Sequence, residues 1–159
     1  MAKPRPFLGL LAGVAAGLVA SAAMAAFQHQ AGKLLPDDGK DADPATVKAA
    51  DKASEAILDA PVPDEYREQA GLAVHYITGA VLGGIYGVIT EYKPEASAGF
   101  GGAYGIATSA LLDEGVVPAA GLAPGPNDTP LVQHAYGAAS HLVYGIVLEG
   151  VRWLIAGRR

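Results

Sequence analysis

The sequence predicts an all-α membrane protein with four transmembrane helices, because of its composition, the placement of its charges and its long apolar stretches. Of 159 residues, 51% are hydrophobic and 17% are charged, whereas soluble domains carry about 25% charge. Fifteen of the 27 Asp, Glu, Lys and Arg residues fall between Lys33 and Glu68. This pattern argues against a soluble enzyme domain. A net charge of −5 without a basic patch argues against a nucleic-acid partner.

Four apolar stretches are predicted to cross the lipid bilayer as helices within a single membrane domain over residues 1–159: residues 7–27, 70–91, 98–120 and 131–156. A helix needs about 20 apolar residues to cross about 30 Å of hydrocarbon. Pro94, between the second and third stretches, cannot continue a helix, so the chain is predicted to reverse there.

The first stretch has two interpretations. Lys3 and Arg5 precede it and Ala23-Met24-Ala25 lies near its end, as in a cleaved signal peptide. Against cleavage, small residues recur at every fourth position, and such a ridge lets helices pack closely. We expect this ridge to be exposed, where it could serve a partner helix in a membrane complex or a homodimer. Its glycines are Gly9, Gly13 and Gly17.

The orientation follows from the basic residues near the ends of the spans, which favour the cytoplasmic side. With four spans, one side receives Lys3, Arg5, Lys93, Arg152, Arg158 and Arg159. We therefore expect a bacterial inner-membrane protein with both termini in the cytoplasm. The acidic loop 28–69 then lies outside. Within it, Asp43-Pro44 is predicted to cap and start a short helix, on the membrane surface or over the bundle.

A short repeat suggests two parallel hairpins. The segment from Tyr86 to Glu91 recurs 58 residues later, from Tyr144 to Glu149, as in proteins built from repeats related about the membrane normal. Each copy continues a four-residue period that joins glycines to ionisable groups, so the His and Glu side chains are expected to face the interior. The two series are His75, Gly79, Gly83, Gly87, Glu91 and Gly137, His141, Gly145, Glu149.

The order of these motifs resembles the YagU-like family of bacterial inner-membrane proteins, whose function is unassigned. The residues that carry the resemblance are Gly9-Leu10-Leu11-Ala12-Gly13-Val14, then His75 with Glu91 and Pro94, then Pro118 with Gly121-Leu122, and finally Ser140-His141-Leu142-Val143-Tyr144 with Glu149 and Arg152. The resemblance implies four spans with an uncleaved first span, and it implies no reaction. The chain departs from the family in having Asp113 and Glu114 where histidine is expected, and in its acidic first loop without cysteine.

The histidines allow three interpretations. His75 and His134 are predicted at about the same level near the outer boundary, and two facing imidazoles can ligate haem b. Zinc is disfavoured, because a third ligand is not obvious. The simpler interpretation is that the histidines hydrogen-bond backbone or hydroxyl groups across helices.

The acidic residues also have alternatives. Glu149 can pair with Arg152, and Glu91 with Lys93 or Arg152, as anchors at the helix ends. Alternatively, Glu149, His141 and His134 form a path along which protons move toward the outer face. Asp113 and Glu114 are ordinary interface charges if the third helix stops there. If it continues to residue 120, they are submerged, and a contact between Asp113 and a histidine is expected.

The sequence therefore favours a structural or accessory membrane protein without catalytic activity, since no nucleophile elbow, phosphate loop or paired metal motif is present. Proton or ion handling through His141 and Glu149 is the first alternative, and haem-dependent electron transfer through His75 and His134 is the second. Under the structural interpretation, Glu149→Gln is expected to leave folding nearly intact.

Overall fold

The computed structural model describes residues 3–35 and 43–157, which form five α-helices and no strand. Helix α1 spans Pro6–Ala31, α2 spans Ala45–Leu58, α3 spans Arg67–Tyr92, α4 spans Gly102–Leu111 and α5 spans Leu131–Ala156. The all-α prediction is confirmed for this part of the chain. Residues 36–42 of the acidic loop lie outside the described residues, as do Arg158 and Arg159, two of the basic residues on the predicted cytoplasmic side.

Three of the helices are long and apolar enough to cross a membrane. Helices α1, α3 and α5 have 26 residues each, which at 1.5 Å per residue is about 39 Å and exceeds the hydrocarbon thickness. Their bounds contain the first, second and fourth predicted spans almost residue for residue. The third predicted span is built differently.

The turn between α3 and α4 explains where the third helical segment begins. Helix α3 ends at Tyr92, and Pro94–Ser97 forms one 3₁₀ turn, so the predicted reversal at Pro94 is confirmed. Gly99, Phe100 and Gly101 then adopt positive φ values of 61°, 54° and 81°. Left-handed residues cannot belong to a right-handed helix. Helix α4 therefore starts at Gly102 and not at the predicted residue 98.

The third segment does not stop at Asp113 and Glu114, so that interpretation is wrong. After α4 the chain continues through a π-helical turn, Leu112–Val116, and one further α-helical turn, Val117–Ala119. The two acidic residues lie inside the π-helical turn. Such turns are rare and frequently mark functional sites, because the wider spacing redirects side chains.

Helices α1 and α3 pack antiparallel along two facing glycine ridges. A Cβ atom at Gly13 would lie 2.8 Å from the carbonyl carbon of Gly83, and one at Gly17 would lie 3.0 Å from that of Gly79. Real Cβ atoms do not approach so closely, so only glycine permits this packing. The α1 ridge is therefore buried within the chain. The expectation that it lies exposed for a partner helix or a homodimer is wrong.

Helices α4 and α5 pack in the same way. A Cβ atom at Gly145 would lie 3.0 Å from the Cα of Gly105, and one at Gly101 would lie 2.8 Å from the Cβ of Glu149. In the α1–α3 pair, a Cβ atom at Gly9 would lie 2.7 Å from the Cγ of Glu91. The two glutamates of the sequence repeat thus occupy comparable places, each beside a glycine of an antiparallel neighbour.

The interior contains many small and many polar residues, whereas most of the large aliphatic side chains lie on the surface. Helix α1 also packs against α5, where Ala16 and Ala20 join Tyr144 and Leu148 in the core. The residues facing outward include many large hydrophobic side chains, as expected for helices surrounded by lipid. Examples with more than a third of their surface exposed are Leu11, Leu18, Ile77, Val81, Ile85, Leu111, Ile146 and Leu154.

Helix α2 lies across α3 and the end of the third segment. Gly71 of α3 admits the side chain of Val47, whose Cγ2 would be 2.6 Å from a Cβ at that position. Lys52 donates a hydrogen bond of 2.6 Å to the carbonyl of Ala120. The predicted placement over the helices is confirmed. The predicted cap is wrong, because the helix starts at Ala45 and the Asp43 carboxylate pairs with Arg67 instead.

Candidate functional site

A cavity of about 650 Å³ lies under α2, at the end of the molecule opposite the two termini. It is lined by α1, α2, α3, the π-helical turn and α5. Most of its walls are apolar side chains, and its polar residues include Ser21, His75, Asp113 and His141. The lining also contains exposed residues, Pro44, Glu68 and Leu72, which mark its opening between the start of α2 and α3.

Asp113 and His141 form the polar centre of this cavity. His141 Nε2 lies 3.3 Å from Asp113 Oδ2, and the Ser109 hydroxyl donates a hydrogen bond of 2.9 Å to the same oxygen. The His141 residue is 7% exposed, whereas the Asp113 side chain retains 38% exposure. The carboxylate is therefore accessible from the cavity, and the imidazole stands behind it.

The local backbone explains why Asp113 points inward. The π-helical turn inserts extra backbone after Leu111, so Asp113 turns toward α5 while Glu114 turns toward its beginning. A Cβ atom at Gly137 would lie 2.9 Å from Asp113 Oδ2. Gly137, predicted as a packing residue, thus provides the space that the carboxylate occupies.

His75 and His134 are held by separate partners. His75 Nε2 donates a hydrogen bond of 3.1 Å to the carbonyl oxygen of Ser21, on the neighbouring helix. This contact agrees with the simpler interpretation of His75, in which the imidazole hydrogen-bonds the backbone of another helix. His134 Nδ1 lies 2.6 Å from Glu114 Oε1, and its Nε2 lies 3.1 Å from the carbonyl oxygen of Pro126. The structure does not bring the two histidines together as a pair, and haem ligation by His134 would require these contacts to break.

Among residues 3–35 and 43–157, no group of three or more His, Asp and Glu side chains is arranged to hold a metal ion. The expected contact between Asp113 and a histidine does form, but with His141 rather than with His75 or His134. The expectation had set Asp113 at the level of His75 and His134, whereas His141 lies seven residues, about 10 Å, further along α5 than His134.

A second polar cluster lies at the opposite end of the helices. Arg152 is 1% exposed and forms two hydrogen bonds with Glu149, Nε to Oε2 at 2.7 Å and Nη2 to Oε1 at 2.8 Å. The predicted Glu149–Arg152 pair is therefore present, and both side chains are buried within the protein. The Tyr86 hydroxyl donates a third hydrogen bond, of 2.8 Å, to Glu149 Oε2.

Glu91 belongs to the same end of the molecule and binds the start of α1. The backbone N–H of Arg5 donates a hydrogen bond of 2.6 Å to Glu91 Oε2, and the Arg5 guanidinium lies 3.8 Å from Oε1. Arg5 also donates to the carbonyl of Ala156, at the end of α5. The sequence did not predict this contact, because it joins residues far apart in the chain.

Three tyrosines separate the two polar clusters. The rings of Tyr86 and Tyr104 lie 4.6 Å apart, centroid to centroid, and the Tyr104 hydroxyl donates to the Leu82 carbonyl. The Tyr144 hydroxyl donates to the Gly79 carbonyl at 2.6 Å. Tyr86 and Tyr144 are fully buried. Tyr144 lines the cavity, and Tyr86 lies between it and Glu149, which is about 12 Å from His141 along α5.

Comparisons with known proteins leave this arrangement without a counterpart. No protein-family model, no curated protein and no solved structure matches the chain. The resemblance to the YagU-like family therefore stays a prediction from the sequence motifs.

Proposed function

We propose that the chain is a four-span protein of a bacterial inner membrane with both termini in the cytoplasm. The antiparallel packing of α1 on α3 and of α4 on α5 supports this, because it brings Arg5, Lys93 and Arg152 to one end and the acidic loop to the other. The third crossing consists of α4, the π-helical turn and Val117–Ala119.

The chain has no cysteine, so single-cysteine variants test this topology cleanly. Ser97→Cys lies in the turn after α3, and Asn127→Cys lies in the loop before α5. We expect an impermeant maleimide added to intact spheroplasts to label Asn127→Cys and to spare Ser97→Cys until the membrane is opened. Equal labelling of both variants in intact spheroplasts would refute four spans.

Within this topology we propose proton handling rather than a purely structural role. The observation that carries this proposal is the Asp113–His141 pair, a carboxylate and an imidazole in contact at the wall of a cavity. Ionisable groups inside a membrane are functional candidates by default, since their burial is costly. The glycine ridge of α1 is occupied by α3 and is therefore not available to a partner helix.

The roles follow from position. Asp113 takes up a proton from the cavity, and His141 shares it through Nε2. The layer of Tyr86, Tyr104 and Tyr144 separates this pair from Glu149, so transfer across the membrane requires these hydroxyl groups to change partners. The route through His134 drawn from the sequence is replaced by this one.

The test is proton flux into liposomes that contain the protein, a trapped pH-sensitive dye and a potassium ionophore to balance charge. We expect the wild-type protein to collapse an imposed pH gradient faster than empty liposomes, and Asp113→Asn to abolish the difference. Glu95→Gln, in the exposed turn after α3, is the matched control and should retain it. Wild-type flux equal to that of empty liposomes would refute the proposal and leave the structural role.

A further inference from the structure

We infer that the cavity under α2 binds an apolar organic cation, with Asp113 as its counter-ion. This inference deepens the proposed function and rests on it, because the same carboxylate would hold either a proton or the cation. It names a class of ligand for a cavity whose size of about 650 Å³ falls within the range of small-molecule sites, about 300–1,000 Å³.

The sign of the ligand follows from the charges that face the cavity. Two carboxylates lie in its lining, Asp113 inside and Glu68 at the opening. Among the described lining residues there is no lysine or arginine. Arg67 and Lys52, two cations of the neighbouring segments, are engaged by Asp51 and by the Ala120 carbonyl. An anion would therefore meet repulsion, whereas a cation would find an accessible carboxylate oxygen.

The chemical class follows from the walls. Val74, Leu82, Leu112 and Val116 line the cavity together with other aliphatic side chains. An inorganic cation needs several oxygen ligands, and this arrangement does not supply them. A cation whose charge is surrounded by hydrocarbon, such as a tertiary amine or a phosphonium, gains from burial of its apolar surface and from the single carboxylate.

The residues around Asp113 leave one side of it available. Ser109 and His141 both approach Oδ2, and the side chain nevertheless retains 38% exposure. The Ser109 hydroxyl and the imidazole thus fix the carboxylate from behind, without filling the cavity. Gly137 keeps that position free of side-chain atoms.

The experiment measures binding of tetraphenylphosphonium to the full chain in mild detergent by equilibrium dialysis. Tetraphenylborate, an anion of the same shape, is the matched ligand control. We expect saturable binding of the cation, no saturable binding of the anion, and at least a tenfold weaker affinity in Asp113→Asn. Equal binding of both ions, or an unchanged affinity in Asp113→Asn, would overturn the inference.

A second pair of variants tests the cavity without changing a charge. Val74 lines the cavity, so Val74→Trp places an indole at its wall, whereas Val81, about two turns further along nearly the same face of α3, is 56% exposed and does not line the cavity. We expect Val74→Trp to reduce cation binding at least tenfold and Val81→Trp to leave it unchanged. Equal affinities in the two variants would refute the site, even if Asp113→Asn does not fold.

The binding assay needs no pH gradient, so its outcome does not depend on the outcome of the flux assay. Cation binding without proton flux would overturn the proposed function and keep the cavity as a binding site. Proton flux without saturable binding would overturn the present inference and keep the proposed function.

Discussion

Tyr86 of α3 donates its hydroxyl hydrogen to Glu149 Oε2 of α5 across 2.8 Å, and this bond helps to hold the buried Glu149 carboxylate in the interior of the protein. Together with the two bonds from Arg152, it gives the carboxylate three donors. A buried carboxylate with these partners stabilises the packing of α3 and α5, so its removal affects more than function.

We therefore expect Glu149→Gln to destabilise the protein, contrary to the expectation drawn from the sequence. The substitution removes the carboxylate that forms the ion pair with the guanidinium of Arg152, which is 1% exposed. Breaking a buried ion pair costs about 3–5 kcal/mol. Thermal unfolding in detergent checks this, with Glu95→Gln as the exposed control. A melting temperature equal to that of the control would contradict the structural role assigned to Glu149.

The glycine ridges predict that substitution by alanine changes the free energy of unfolding in opposite directions at two positions. Gly13→Ala forces the backbones of α1 and α3 apart, because its Cβ would meet the carbonyl group of Gly83, and overpacking costs about 1–3 kcal/mol. Gly150→Ala meets only the ring of Phe100 at 3.6 Å and gains about 0.5–1 kcal/mol of helix propensity. Unfolding of both variants in a denaturing detergent measures the difference. The same sign at both positions would show that close approach does not govern the packing.

The attachment of α2 should depend on pH through Asp51. The hydrogen bond from Arg67 lowers the pKa of Asp51 below its ordinary value of 3.8. Because the folded pKa is depressed, the contribution to stability is present above pH 3.8 and is lost as the pH falls through the lower, folded value. We expect a nitroxide label at the exposed residue 53 to become more mobile in that acidic range.

Two controls define this result. Asp51→Asn should make the same label mobile at neutral pH and remove the acidic transition. A label at residue 135, on the exposed face of α5, should show no change. An acidic transition of equal size in Asp51→Asn would assign it to another carboxylate.

Gly137→Ala separates the position of Asp113 from its charge. The added methyl group would lie 2.9 Å from Asp113 Oδ2, and the carboxylate, at the end of a flexible side chain, can move aside at little cost to folding. We expect a reduced proton flux and a weaker affinity for tetraphenylphosphonium, with a melting temperature close to the wild-type value. Gly150→Ala serves as the functional control. Unchanged flux and affinity would mean that the carboxylate acts without a fixed position.

The helix positions and glycine ridges were predictable from the sequence, because both arise from local periodicity. The four-residue spacing of Gly79, Gly83 and Gly87 defines one helix face whatever the partner. The Glu149–Arg152 pair was equally accessible, since residues three apart on a helix are neighbours. The spacing does not reveal which helix packs against each face. For this reason the α1 ridge was predicted to bind a helix of another molecule, whereas it packs against α3.

The site was less predictable, because its contacts join distant segments. Asp43 is of a residue type that commonly caps helices. Its carboxylate instead accepts a hydrogen bond from Arg67, 24 residues later. The π-helical turn has no clear sequence signature, and it decides which histidine Asp113 meets. The partners of Tyr86 and Arg5 lie 63 and 86 residues away, and only the folded arrangement reveals them.

The contrast between the glycine ridges and the tyrosine layer has a mechanical consequence. Where α1 meets α3 and α4 meets α5, backbone rests on backbone, and such contacts resist displacement because no side chain can rearrange. Where α3 faces α4, the contact runs through the rings of Tyr86 and Tyr104, and rings can pivot about their side-chain bonds. Helix α1 also packs closely on α5 through Ala16 and Ala20, so the contact of α3 with α4 is the compliant one. The cavity is bounded by α3 and by the π-helical turn that continues α4, and a displacement of α3 from the third segment would therefore widen it.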